Sequence, residues 1–157
     1  AGLGALAVLA GGTPMHMALS AMMLWLLLAL AAIDWVALRL PDAFTAALAV
    51  VVILRAPNLV TALIGAAIGA GAFLLIRWSY GVLRGREGLG LGDVKLMVGL
   101  GAAAGPWDMP LLVLIGAGLA LVGAVMTGHR RLAKDHPLPF GTALCASAAI
   151  LWAVGLV

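Results

Sequence analysis

The sequence predicts an all-α fold, a polytopic membrane helix bundle of about six spans. Of its 157 residues, 65% are hydrophobic and only 10% are charged, whereas a soluble domain carries about 25% charged residues. The mean hydropathy is +1.20, and long apolar runs alternate with short polar breaks along the whole chain. We therefore expect residues 1–157 to form one membrane-embedded domain, with no room for a separate soluble domain.

Three spans are expected in the first half of the chain, after a partial first helix. Residues 1–12 are apolar but shorter than the roughly 20 residues that cross a bilayer. Thr13 followed by a proline is a helix-start signal, and Asp42 is expected to cap the second full span. Gly65 and Gly69 are spaced for close helix packing. The spans are predicted at Met17–Ile33, Ala43–Leu54 and Leu59–Trp78.

Three further spans are expected after a charged, glycine-rich loop at residues 79–92. A turn at residues 105–108 separates the first two of these spans, and a basic segment at 129–137 precedes the last. They are predicted at Asp93–Ala104, Met109–Thr127 and Phe140–Val157.

The basic residues predict how the chain is oriented. Of the nine Lys and Arg residues, only Arg55 falls at a loop on the side opposite the others. By the positive-inside rule, the loops next to Asp34 and Asp93 and the segment 129–136 face the cytoplasm. Because these charges lie in short loops between apolar segments, the net charge of +3 indicates contact with anionic lipid rather than with nucleic acid.

Two aspartates are the candidate catalytic residues. Asp34 and Asp93 are separated by two predicted spans, which return the chain to the same face of the membrane. A carboxylate in a membrane span is a functional candidate by default, because it is costly to keep there. Two close carboxylates in a low dielectric share a proton, so that one acts as a base on water and the other as an acid toward a carbonyl. This chemistry needs no cofactor.

The glycine-rich loop before Asp93 fits a site at which an extended peptide approaches the backbone. Glycine leaves space there and accepts backbone angles that other residues avoid, and an extended peptide can take backbone hydrogen bonds from such a loop. No metal site is expected, since Cys145 is the only cysteine and the three histidines lack metal-ligand spacing.

Other interpretations of the two aspartates remain open at this point. A single Asp at the end of a span is often an interfacial residue in contact with water or with an arginine. A small transporter would use the pair as a proton or cation site, but would place its carboxylates near mid-membrane. A non-catalytic membrane assembly factor would be expected to lose one of the two.

Three short motifs follow one another along the chain. They are Ile-Asp at 33–34 with Leu-Pro-Asp at 40–42, Gly-Leu-Gly-Asp at 90–93, and Pro-Phe-Gly at 139–141. The second matches the GxGD motif of intramembrane aspartyl proteases. The first resembles the first catalytic segment of the type IV prepilin peptidases, and the third resembles the C-terminal signature of that family. The likeness covers about residues 18–157.

The resemblance implies an aspartic endopeptidase with Asp34 and Asp93 as its catalytic residues. Such enzymes cleave the basic leader peptide of type IV prepilins or pseudopilins after a glycine, at the cytoplasmic face of the bacterial inner membrane. Prepilin or pseudopilin substrates and membrane lipid are therefore the expected partners, and the oligomeric state is left open. The residues expected to contact the substrate are Glu87, Gly90, Gly92, Lys95, Pro139, Phe140 and Gly141.

The chain also departs from the family pattern. Larger members carry an additional N-terminal cytoplasmic domain with paired cysteines, associated with methylation of the new N-terminus. We therefore expect a short, peptidase-only form without methyltransferase activity. Many members have a second proline after Pro-Phe-Gly, where this chain has Thr142, and many have a polar residue soon after the first Asp, where this chain has Trp35, Val36 and Ala37. We expect these substitutions to affect substrate preference more than catalysis.

Overall fold

The computed structural model describes residues 13–84, 89–126 and 140–155. All regular structure in these residues is helical, which confirms the predicted all-α fold. The expectations for residues 1–12 and for the basic segment at 129–137 lie outside the described residues. The helices of the described part are α1 (Pro14–Ala37), α2 (Asp42–Arg55), α3 (Leu59–Arg84), α4 (Leu91–Met126) and α5 (Phe140–Val154).

Long apolar helices identify the chain as a multi-pass membrane protein. Within the described residues, three helices are long and apolar enough to cross a membrane, and α5 is a shorter apolar helix. Large apolar side chains such as Trp25, Leu28 and Leu114 point outward and are more than half exposed. These outward faces fit contact with lipid, because lipid chains are as apolar as the side chains themselves. The long helices lie at Pro14–Ala37, Leu59–Leu83 and Leu91–Met126.

The first two helices begin differently from each other. Thr13 caps α1 as predicted, because its hydroxyl oxygen accepts a hydrogen bond from the backbone N–H of His16 at 3.5 Å. The expectation that Asp42 caps α2 is wrong. Pro41 occupies the N-cap position without a side-chain hydrogen bond, and the Asp42 carboxylate forms an ion pair with Lys95 instead.

The chain reverses direction inside α4, at Gly105. This residue has a φ of 66° and a ψ of −179°, which interrupts the helical backbone and favours glycine because a side chain is strained there. A methyl group placed on Gly69 would lie 2.9 Å from the carbonyl oxygen of Met97 and 3.2 Å from the sulfur of Met109. The two halves of α4 therefore lie side by side against α3. The predicted turn at 105–108 between two spans is confirmed.

Helices α3 and α4 approach each other closely at glycines. A methyl group on Gly65 would overlap the backbone carbonyl of Gly101, and a methyl group on Gly101 would overlap the carbonyl of Gly65. Both glycines are buried. Small residues allow such backbone contact between membrane helices, and the prediction that Gly65 and Gly69 pack closely is confirmed.

The packing order of the helices brings the two aspartates to one end of the bundle. Helix α4, which carries Asp93, packs against α2, α3 and α5, whereas α1, which carries Asp34, packs against α2 and α5. The core between them is aliphatic and is closed to solvent. Its most buried side chains include Met23, Leu30, Leu48, Leu96, Met97, Leu100, Leu112 and Leu144.

Adding a methyl group at the α3–α4 contact should destabilise the bundle. We expect Gly65→Ala or Gly101→Ala to lower the unfolding free energy by about 1–3 kcal/mol, because the overlap is with backbone and cannot be relieved by a side-chain rotation. The measurement is thermal unfolding of the purified protein in detergent. Gly71→Ala on the same helix meets nothing within 4 Å and should unfold like the wild type, so equal melting of all three variants would contradict the assigned contact.

Candidate active site

Asp34 is a buried carboxylate that is hydrogen-bonded by another helix. It lies in the last turn of α1 and is 5% exposed. Its Oδ2 atom accepts a hydrogen bond from the backbone N–H of Thr142 at 2.7 Å and lies 3.0 Å from the Thr142 hydroxyl oxygen. Thr142 is the third residue of α5, where backbone N–H groups have no partner within the helix. The carboxylate thus caps α5 from a distance of 108 positions along the chain.

Gly141 lies directly against the same carboxyl group. A methyl group on Gly141 would lie 3.1 Å from both Cγ and Oδ2 of Asp34, which is tighter than ordinary van der Waals contact. Only a residue without a side chain lets the first turn of α5 come this close. The predicted site residue Gly141 is therefore brought to Asp34.

Asp93 lies at the start of α4 and is partly exposed. It is the third residue of that helix, where the N-terminal end of the helix dipole favours negative charge. The Asp34 carboxyl group acts on it electrostatically, and the backbone N–H of Gly90 interacts with its carboxylate. The two candidate aspartates therefore lie near enough to interact electrostatically, and one is buried while the other is partly exposed.

Leu40 connects the elements that carry the two aspartates. Its side chain would be 3.0 Å from a methyl group on Gly92 and 3.0 Å from one on Gly141. Gly92 precedes Asp93 in the chain, and Gly141 packs on Asp34. The turn between α1 and α2 therefore packs against Gly92 on one side of the site and against Gly141 on the other. Sequence reasoning used Leu40 only as part of a motif and missed this contact, because nothing local to the turn indicates which helices it meets.

Two of the predicted substrate-contacting residues are held by other side chains. Phe140 stacks on Phe73 of α3, with ring centroids 6.2 Å apart. The Lys95 ammonium group lies 2.6 Å from the Asp42 carboxylate. Both members of that ion pair are well exposed, and such pairs contribute little to stability. Glu87 and Pro139 lie outside the described residues.

Thr142 contacts the candidate site in a way that sequence reasoning did not predict. It was expected to influence substrate preference, yet in the structure it contacts Asp34 through both its backbone and its hydroxyl group. A proline at this position would have no N–H to donate. The departure from Pro-Phe-Gly-Pro at position 142 was therefore the sequence signal for this contact. Threonine has two hydrogen-bond donors, its backbone N–H and its hydroxyl group, where proline has none.

Apolar helices long enough to cross a membrane, with Asp34 and Asp93 near one end of the bundle, define a helical membrane protein with two candidate catalytic carboxyl groups. The chain matches the type IV leader peptidase family over residues 21–126. It belongs to that family, and its resemblance to the type IV prepilin peptidases is confirmed.

Individual relatives agree with the family assignment. The chain is 43% identical over 97 residues to "Leader peptidase HopD" of Escherichia coli, covering 59% of this chain and 61% of that protein. It is 42% identical over 129 residues to a "Prepilin leader peptidase/N-methyltransferase" of Burkholderia pseudomallei, covering 78% and 42%. It is 33% identical over 147 residues to a protein of the same name from Dichelobacter nodosus, covering 90% and 50%.

The aligned regions span from about two fifths to three fifths of the lengths of these relatives. No solved structure matches the chain.

Filling the space at Gly141 should displace the side chains of Asp34 and Leu40, which a methyl group there would contact. If activity is assayed as cleavage of a purified prepilin, we expect Gly141→Ala to reduce the rate by about tenfold or more, because the added methyl group displaces the carboxyl group. Gly118→Ala is the matched control, since that glycine meets nothing within 4 Å. Equal rates for the two variants would show that cleavage does not depend on the position of the Asp34 carboxyl group.

Proposed function

We propose that this protein is an intramembrane aspartyl endopeptidase that removes the basic leader peptide of type IV prepilins or pseudopilins. The observation that carries the proposal is that Asp34 lies near enough to Asp93 to act on it electrostatically, at one end of an apolar bundle. The family supports it, because the relatives of this chain are named as leader peptidases. The proposal covers the peptidase reaction alone.

Asp34 and Asp93 act as one acid/base pair that holds a single proton between them. One carboxylate takes a proton from water, and the water oxygen bonds to the carbonyl carbon of the scissile peptide. The other carboxyl group gives its proton to the carbonyl oxygen. When this intermediate collapses, the C–N bond breaks and a proton passes to the leaving amine. Because the two carboxyl groups interact, we assign the two roles to the dyad rather than to fixed residues.

The extended leader binds beside the glycines of the site. Gly90 and Gly92 lie next to Asp93 in the chain, and Gly141 lies next to Asp34. Backbone without side chains leaves room for a strand-like peptide and for its hydrogen bonds. Glu87, Lys95, Pro139 and Phe140 remain predicted contributors, and Lys95 would have to exchange its ion pair with Asp42 for a substrate contact.

The positions of the aspartates favour a peptidase over a transporter. Asp34 lies in the last turn of α1, and Asp93 lies in the first turn of α4, so both are at helix ends. A transported proton or cation would be bound near mid-membrane. Both aspartates are present, which argues against a degenerate assembly factor.

The location of the site completes the proposal. Residues 1–157 act as a single membrane-embedded peptidase domain in the bacterial inner membrane. The excess of Lys and Arg near Asp34 and Asp93 supports a cytoplasmic position for the site. A cytoplasmic site meets the basic leader of a prepilin before that leader could be translocated.

Removing either catalytic carboxylate should abolish cleavage. We expect Asp34→Asn and Asp93→Asn each to reduce the rate of prepilin cleavage by about 10²–10⁴-fold, because each removes an acid/base group. The measurement is the gel shift of the released leader in membranes that contain the wild type or a variant. Asp108→Asn is the control, since Asp108 lies in the predicted turn at 105–108, at the other end of the predicted span that begins at Asp93.

The folded state of each variant must be checked by its melting temperature in detergent. A folded Asn variant that keeps near-normal cleavage would exclude that aspartate from the reaction. A folded wild type that cleaves none of several prepilins would contradict the proposed function itself.

The orientation can be measured with single cysteines. In a Cys145→Ala background, Arg39→Cys lies before α2 and Asn58→Cys lies after it, so the two thiols mark opposite ends of one helix. Both positions are exposed. In spheroplasts, a membrane-impermeant maleimide should label Asn58→Cys directly and Arg39→Cys only after the membrane is permeabilised. The reverse pattern would place the aspartate pair outside the cytoplasm.

A further inference from the structure

We propose that Thr142 is a positioning residue for Asp34, and that its hydroxyl group is a hydrogen-bond partner for both the ionised and the protonated form of that carboxyl group. This inference rests on the proposed peptidase function, in which the aspartate pair gains and loses a proton in every cycle. The two hydrogen-bonding atoms are Oδ2 of Asp34 and the hydroxyl oxygen of Thr142.

The contacts of Thr142 define the geometry. Its backbone N–H lies 2.7 Å from Oδ2 of Asp34, and its hydroxyl oxygen lies 3.0 Å from the same Oδ2. The hydroxyl oxygen is also 3.0 Å from the backbone carbonyl oxygen of Ala31, one turn earlier in α1. The hydroxyl group therefore lies between a carboxyl oxygen and a carbonyl oxygen.

A hydroxyl group has one hydrogen to donate and lone pairs with which to accept. When Asp34 is ionised, the hydroxyl hydrogen points to Oδ2, which then accepts two hydrogen bonds from Thr142. When Oδ2 carries a proton, that proton is donated to the hydroxyl oxygen, and the hydroxyl hydrogen rotates to the carbonyl of Ala31. The Ala31 carbonyl oxygen can only accept hydrogen bonds. It therefore accepts the hydroxyl hydrogen when Asp34 is protonated, and the hydroxyl hydrogen leaves it for Oδ2 when Asp34 is ionised.

This rotation matters because Asp34 is buried. A buried polar hydrogen without an acceptor costs free energy, and a buried carboxylate without donors costs more. With Thr142 present, neither protonation state leaves the buried oxygen without a partner. Because the backbone N–H donates to the same oxygen in the ionised state, it also fixes which way the carboxyl group faces.

Thr142→Val and Thr142→Ser separate the hydroxyl group from the shape of the side chain. Valine keeps the branched shape and the backbone N–H but loses the hydroxyl, whereas serine keeps the hydroxyl. We expect Thr142→Val to lower kcat for prepilin cleavage about tenfold, with KM changed by less than about twofold. Thr142→Ser should restore kcat to within about threefold of the wild type.

Thr61→Val is the matched control. Thr61 is the third residue of α3, as Thr142 is of α5, and it lies near the Gly105 turn rather than near the aspartates. Its kcat should equal that of the wild type. If Thr142→Val keeps the wild-type kcat, or if Thr142→Ser loses as much as Thr142→Val, the hydroxyl group has no such role.

A second measurement does not depend on cleavage. The infrared C=O band of protonated Asp34, assigned by its loss in Asp34→Asn, should move to higher wavenumber in Thr142→Val and stay in place in Thr142→Ser and Thr61→Val. An unmoved band in Thr142→Val would overturn the inference even if kcat falls. A wild type that does not cleave prepilins would defeat the proposed function, while the infrared comparison would still decide whether the hydroxyl group bonds to protonated Asp34.

Discussion

A carboxylate buried in an apolar membrane bundle must find hydrogen-bond donors, and the site depends on how Asp34 finds them. Its donors come from Thr142 at the start of α5, where a helix has N–H groups without internal partners. One contact therefore satisfies two needs, that of the carboxylate for donors and that of the helix end for an acceptor. It also joins α1 to α5 at the end of the bundle where the aspartates lie. Gly141 has to be small because α5 approaches Asp34 so closely.

The other side of the site depends on glycines of α3 and α4. Gly65 and Gly101 let the two helices touch through their backbones, and Gly105 lets α4 reverse direction. Helix α4 consequently occupies the middle of the packing, with α2, α3 and α5 around it. Its first turn, which carries Asp93, is held against the turn that follows α1. Leu40 fills the space between them and touches both halves of the site.

The two aspartates differ in their surroundings although they share a site. Asp34 is buried and receives donors from another helix, whereas Asp93 is partly exposed at the start of its own helix, near the backbone of Gly90. In the proposed reaction the buried member has defined hydrogen-bond partners in both protonation states, while the partly exposed member is reachable from the surface.

The sequence by itself determined the membrane helix bundle, the reversal at residues 105–108 and the family of the chain, and it predicted Asp34 and Asp93 as the candidate site residues. These features are local, because apolar runs, glycine turns and motifs are encoded by neighbouring residues. Only the tertiary structure decided that Leu40 lies between Gly92 and Gly141, that Asp42 pairs with Lys95 rather than capping α2, and that Thr142 holds Asp34. Each of these contacts joins residues that are far apart in the chain. Their partners depend on which helix faces pack together. A periodic pattern of apolar residues predicts that a face is buried, but it does not indicate which helix packs against that face.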